Sequence, residues 1–365
     1  MKINILLPYK EKFDENKASS VSITVRNNLL HSKYLDRIKI FGQNVDFPIF
    51  KDNFFGIRYS VLSLKSKNKF LAHEMLKIIN KDSDKKQLIE IHNRPYLIDQ
   101  VTKQNRFPVT LFFHNDPQTM NGSKSVKDRQ KILEKCVAIF CVSEFIKKKF
   151  LQGINDDKKK IHVLYNGVER KLIRFPIKNK EVLFVGRLVP EKGVHFYVDA
   201  LELIADNHPK WRFGLIGSFR LGDNENIDSY ASEVIKKFNS IGPQAQFYGY
   251  QDNRFVQEKM KDASILVIPS LWQEPFGLVA AEAMSNGACI IASRVGGIPE
   301  IIESNGILIN NINHKKLSET INNVIKNDNL RKDYQRKAWK NFSFSSVTSS
   351  KRLDHFRKII FSMPV

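Results

Sequence analysis

Cysteine is scarce: 3 in 365 residues, at positions 136, 141 and 289. Three thiols cannot build a disulfide framework. Cys136 and Cys141 flank the apolar Val137, Ala138, Ile139 and Phe140, and Cys289 precedes Ile290 and Ile291, the setting of buried, inert thiols. Glycine and proline are also modest, at 17 and 13, which excludes collagen-like and low-complexity chains. No apolar run approaches the ~18 residues needed to cross a bilayer, and the opening Met1–Pro8 is too short for a signal peptide. The expected setting is therefore the cytosol, with at most peripheral attachment to a membrane.

Acidic residues are the other shortage. Asp and Glu number 38 against 59 Lys and Arg, a net charge of +21. Such an excess favours an anionic partner: nucleic acid, a membrane surface or a phosphorylated substrate. The excess is uneven, with 32 basic and 18 acidic residues in 1–170 against 27 and 20 in 171–365. Basic runs such as Lys147–Lys149 and Lys158–Lys160 stand beside apolar residues (Phe145, Ile146, Phe150, Leu151), a pattern suited to a solvated face or to anionic lipid head groups. No nucleic-acid motif accompanies the charge, and the aromatics are not interleaved with the basic runs. Nucleic acid is not an expected partner.

What is present is a series of short apolar runs between amphipathic stretches, the pattern of a parallel sheet covered by helices. Strands are expected at 3–7, 88–91, 109–113 and 138–142, then at 182–185, 213–216, 246–248, 265–268 and 289–292. Between the two series lies Leu164-Tyr165-Asn166-Gly167-Val168-Glu169-Arg170, where Asn-Gly marks a turn. The fold class is α/β with two doubly wound domains and a hinge around 165–180. The boundaries are 1–172 for the first, completed by 343–365, and 173–342 for the second. Ligands bind such sheets at the carboxyl ends of their strands, and a pair would share a cleft.

Three segments at strand ends carry candidate chemistry. In Pro269–Met284, Pro275 suits a first helical turn and Ala280–Met284 are strong helix formers, so a helix is expected to start near Phe276. Its first amides would face an anion. Glu274 stands before that start and Glu282 about two turns along, and the pair can reach two parts of one extended ligand. The bland alternative makes Glu274 a cap and Glu282 a solvated helix residue. In Val185–Val194, Arg187 and Lys192 follow a strand, with Gly186 and Gly193 permitting a tight backbone, an arrangement that suits a pyrophosphate. Two exposed surface cations are the alternative there. In Phe112–Pro117, His114 and Asp116 are placed to face a cleft, and Ile91-His92-Asn93-Arg94-Pro95 is a strand end of the same character. The spacing equally allows His114 a structural hydrogen bond.

Other signatures are missing. There is no Gly-x-x-x-x-Gly-Lys-Ser/Thr loop, no Gly-x-Gly-x-x-Gly after the first strand, no zinc spacing and no Gly-x-Ser-x-Gly elbow. Asp82-Ser83-Asp84 has a metal-like spacing but stands among lysines and reads as a turn.

Taken in order, the segments resemble the retaining family 4 glycosyltransferases (glycosyl transferases group 1). The resemblance rests on Phe184–Gly193, Gly214–Gly217, Phe247–Tyr250, the Glu-x7-Glu of Glu274–Glu282, and Val295–Glu300. The first half matches more loosely, through Phe113–Asp116, Val142–Glu144 and Asn166–Val168. The resemblance implies a GT-B architecture of two facing Rossmann-like domains, with a C-terminal helix (344–361) crossing back to the first. It implies an enzyme that moves a sugar, with retention, from a nucleotide-diphosphate sugar to a glycan or lipid-linked acceptor hydroxyl, without a cofactor or metal. Arg187 and Lys192 would hold the diphosphate, Glu274 the donor sugar and Glu282 the ribose. The amides of Phe276, Gly277 and Leu278 would meet sugar or phosphate, Tyr250 would border the base, and His114 would lie near donor sugar and acceptor. One departure concerns the acceptor side: where the family carries a glycine-rich loop after the first strand, this chain has Lys17-Ala18-Ser19-Ser20-Val21-Ser22. The basic first half suggests work at the inner membrane face on a lipopolysaccharide, surface polysaccharide or glycolipid. The alternatives are a soluble transferase for a small acceptor and a non-catalytic basic binding protein on the same scaffold.

Overall fold

The structure is a computed structural model that describes residues 2–60, 62–84, 86–155, 158–218 and 229–363. The chain forms two units: Met1–Glu169 with Phe344–Val365, and Arg170–Ser343. The crossings fall between 169 and 170 and between 343 and 344, against 172/173 and 342/343 expected from the sequence. The reason is local. Val168 N–H donates to Phe344 O at 2.8 Å and Ser346 N–H to Val168 O at 3.0 Å, so both crossing segments are tied into the first unit.

The first unit holds seven parallel strands: β1 Lys2–Leu6, β2 Ile38–Gln43, β3 Phe54–Ile57, β4 Gln87–His92, β5 Val109–Phe113, β6 Ala138–Cys141 and β7 Ile161–Val163. Their order is β3-β2-β1-β4-β5-β6-β7. The second unit holds six: β8 Asn179–Val185, β9 Arg212–Ile216, β10 Ala245–Gly249, β11 Ala263–Ile268, β12 Cys289–Ser293 and β13 Ile307–Ile309, ordered β10-β9-β8-β11-β12-β13. Each sheet starts near its middle, lays two strands to one side, then crosses to the other, the doubly wound pattern.

Every residue of β4, β5, β6, β11 and β12 is buried, as expected of strands covered on both faces. All nine strands expected from the sequence are present. The four it did not show are β2, β3, β7 and β13. Three of these are sheet edges of three or four residues, too short to give a long apolar run. In β2, Lys39 and Gly42 interrupt the apolar pattern.

The last helix, Ser346–Ser362, belongs to the first unit. Ser345 caps it by accepting from Thr348 N–H. Along the helix, Ser349 Oγ donates to Asn28 Oδ1 at 2.9 Å, in the helix Ser20–Leu29. Deeper in, Arg357 spans both carboxylate oxygens of Glu90 on β4, each at 2.8 Å, and both side chains are buried. A fixed planar fork on a carboxylate is the geometry arginine serves best. No helix among the described residues is long and apolar enough to cross a membrane.

Candidate active site

In an open doubly wound sheet a crevice opens where two adjacent strands send their connections in opposite directions. In the second unit those strands are β8 and β11, and the segments after them carry Arg187, Lys192 and Glu274. Two close backbone approaches fix their geometry. Gly193 has φ +65°, and a Cβ on it would lie 1.9 Å from Pro269 O, so only glycine lets the two loops touch. Leu271 and Trp272 N–H both donate to Glu191 O, at 2.9 and 3.3 Å. Gly296 has φ +56°, its Cβ position 2.2 Å from Glu274 O, and Gly297 N–H donates to that oxygen at 2.7 Å.

Held this way, Lys192 Nζ meets Glu274 Oε1 at 2.5 Å, and Ser270 Oγ donates to the same oxygen at 2.7 Å. Lys192 also lies 5.3 Å from the centre of the Trp272 ring, whose face favours a cation. Lys192 is thus an engaged ion-pair partner rather than a loose surface cation. Arg187 is not part of this network: half-exposed, it approaches Glu191 at 3.5 Å. The roles of Ser270 and Trp272 were not read from the sequence. The only signal was their position directly behind an apolar strand.

The helix after this loop runs Leu278–Ser285, two residues later than expected, because Gly277 at φ +102° still belongs to the loop. Glu282 therefore lies one turn into it, not two. It is 8% exposed, which removes the reading of a solvated helix residue. Burial raises its carboxyl to about 7, with the Gln257 side-chain hydrogen bond acting in the opposite direction. Phe276 is buried, while Gly277 and Leu278 are half-buried at the helix start. Tyr250, also half-buried, follows β10 directly after Gly249, whose φ of +67° turns the chain.

Sequence reasoning gave no role to Lys178. Its Nζ donates to Lys261 O at 2.7 Å, Asn286 O at 2.8 Å and Met260 O at 3.3 Å, tying the end of the helix Asn253–Asp262 to that of Leu278–Ser285. Burial pushes this amine down to about 7, yet three carbonyl acceptors consume the three protons of an ammonium.

In the first unit, β4 ends at His92 and His114 follows β5. The structure joins these two strand ends: His92 Nδ1 lies 2.9 Å from His114 Nε2. His114 N–H also donates to Asn93 Oδ1 at 3.2 Å. Burial lowers His114 to about 4, and burial followed by the neighbouring His114 and Arg357 charges holds His92 well below the usual imidazole range. Asp116 does not join them. It caps the turn Pro117–Thr119, accepting from Gln118 N–H at 2.9 Å, and stands 3.7 Å from Lys149.

Asp82 is taken by Lys2 at 2.6 Å and Lys39 at 3.0 Å, which hold its carboxyl far below the usual range. Among the described residues no group of three or more His, Cys, Asp and Glu side chains could hold a metal ion. The serine-rich stretch after β1 is the start of the helix Ser20–Leu29, with Ser19 as its cap. The three cysteines are buried, and burial pushes Cys136 and Cys289 up to about 12 and Cys141 higher still. The Lys158 side chain lies outside the described residues.

Two doubly wound α/β units in one chain make the GT-B architecture. A crystal structure of HepE from Anabaena, in complex with UDP and glucose, shares it with a TM-score of 0.75 over 98% of this chain and 99% of that one, at 19% identity. Residues 168–341, a little under half of the chain, match the glycosyl transferases group 1 family. It is 28% identical over 292 residues to spore coat protein SA of Bacillus subtilis, covering 72% of this chain and 76% of that protein. It is 35% identical over 196 residues to an uncharacterized glycosyltransferase of Methanocaldococcus jannaschii, covering 53% of this chain and about half of the archaeal protein (51%).

Proposed function

We propose that the protein transfers a sugar, with retention, from a nucleoside-diphosphate sugar to an acceptor hydroxyl, and that it does so without a divalent metal. The observation that carries this reading is the Lys192–Glu274–Ser270 network at the switch point, in the segment that leads into the helix carrying the buried Glu282. A departing nucleoside diphosphate gains negative charge in the transition state, and a preorganised cation at that place stabilises it. Lys192, with Arg187 from the same loop, takes the diphosphate, and Glu274 takes a hydroxyl of the donor sugar. Glu282 takes the ribose hydroxyls, Tyr250 borders the base, and the Phe276–Leu278 amides meet sugar or phosphate. HepE, bound to UDP and glucose, makes a uridine donor the first to try.

The first unit, which carries the larger share of positive charge, holds the acceptor, with His114 near the reacting groups. An acceptor presented at an anionic membrane face fits that charge. It also fits two leucines, Leu62 and Leu64, 90% and 105% exposed on the loop between Arg58 and Lys67. Nearby, Tyr59 Oη lies 2.9 Å from Lys65 O and 3.2 Å from Ser63 O.

Melting temperatures with UDP-, GDP- and ADP-sugars test the donor reading. One nucleotide class should raise the melting temperature by mass action, and Lys192→Ala and Glu282→Ala should each abolish that rise. No rise with any sugar nucleotide would overturn the proposal.

A further inference from the structure

Two neutral imidazoles joined by one hydrogen bond pose a proton-counting problem, and the His92–His114 pair offers a way to solve it. The N···N distance is 2.9 Å, the ring centres are 5.2 Å apart and the planes differ by 18°. The centre separation exceeds the N···N distance by about two ring radii, so the rings are nearly coplanar and the bond lies in their plane. One nitrogen of the two carries the shared proton, and its choice fixes both tautomers.

Of the two remaining ring nitrogens, His92 Nε2 is sealed from solvent and has no hydrogen-bond partner among the described residues. Its ring stacks on Phe112 at 4.4 Å and 12°, which closes one face. Were His114 to donate, His92 would have to carry its own proton on that sealed Nε2, leaving a buried N–H with no acceptor. Orphaned buried donors are rarer in proteins than under-used acceptors.

We propose that His92 is a positioning residue: its Nδ1–H donates to His114 Nε2 and so holds His114 as the Nδ1–H tautomer, a fixed N–H donor at the end of β5. His114 as a residue keeps 9% exposure. A fixed donor suits a hydroxyl or ring oxygen of a sugar and not a proton-abstracting role, because the basic nitrogen is already engaged. The catalytic use of that donor rests on the transferase reading above; the tautomer does not.

Long-range nitrogen-15 spectra of the histidine rings in the intact chain at neutral pH test the tautomer, with the His92→Phe and His114→Phe spectra assigning the signals. Both rings should show a protonated Nδ1. A protonated Nε2 on both would overturn the proposal, whatever the enzyme does. His92→Phe keeps the stacking on Phe112 and removes the donor, while His92→Asn restores an N–H near the Nδ1 position. With melting temperature unchanged, His92→Phe should lower kcat about tenfold, the size of one lost hydrogen bond, and leave KM for the sugar nucleotide alone, and His92→Asn should recover most of the rate. An unchanged kcat in His92→Phe would sink the positioning role. Failure of every sugar nucleotide to bind would sink the transferase reading instead, and the spectra would still decide the tautomer.

Discussion

Glu282 shows how one buried carboxyl can tie stability and ligand binding to pH in opposite senses. Its folded-state value, about 7, is above that of a free glutamate. The unfolded chain therefore loses this proton first, and the contribution of Glu282 to stability is complete below the unfolded value and is lost as pH rises toward about 7. Ribose hydroxyls, by contrast, donate best to the ionised carboxylate. The affinity for a uridine nucleotide should therefore rise between about pH 6 and about pH 8, and Glu282→Gln should flatten that rise. Titration calorimetry across the range reads both. At this scale the sequence drew attention to Lys192, Glu274 and Glu282, of which the structure pairs the first two and buries the third. It was silent on Lys178, which in sequence is one more cation in a connecting segment. Its partners are all backbone carbonyls, and those leave no trace in residue type.

Among the elements, the last helix is held by more than apolar packing. Arg357 and Glu90 form a buried bidentate pair, so removing one partner strands a charge. Arg357→Ala should cost about 3–5 kcal/mol, whereas Arg357→Met with Glu90→Leu should recover most of it, since a well-packed apolar replacement is often neutral. Urea midpoints of the three proteins distinguish the cases. That this helix exists, and that it returns to the first unit, was implied by the family resemblance of the terminal segment. Its buried arginine was not, because amphipathic helices ordinarily turn their cations to water. The start of the helix Leu278–Ser285 was missed by two residues for a related reason: Pro275 marks a first turn equally well in a loop, and only the left-handed Gly277 ends it.

For the whole molecule, the expectation of two doubly wound units was readable because each buried strand is a short apolar run between amphipathic stretches. Three of the four edge strands, β3, β7 and β13, are short and part-exposed and gave no such run. The charge is also a property of the whole, and it yields a measurable consequence. The protein should sediment with vesicles containing phosphatidylglycerol and not with pure phosphatidylcholine, release at about 0.5 M salt, and bind more weakly as Leu62→Asp with Leu64→Asp. No binding to either vesicle type would argue for an acceptor in solution, and equal binding to both would overturn the electrostatic reading.

The two crossings at 169/170 and 343/344 also set an order of assembly during synthesis. Ribosomes deliver β1 to β7 first, yet the cation that neutralises Glu90 within β4 arrives only with residue 357, after the whole of the second unit. The unit begun first is therefore completed last. The unit made in between has all its strands in one continuous stretch and can close while the earlier sheet still waits for its final helix.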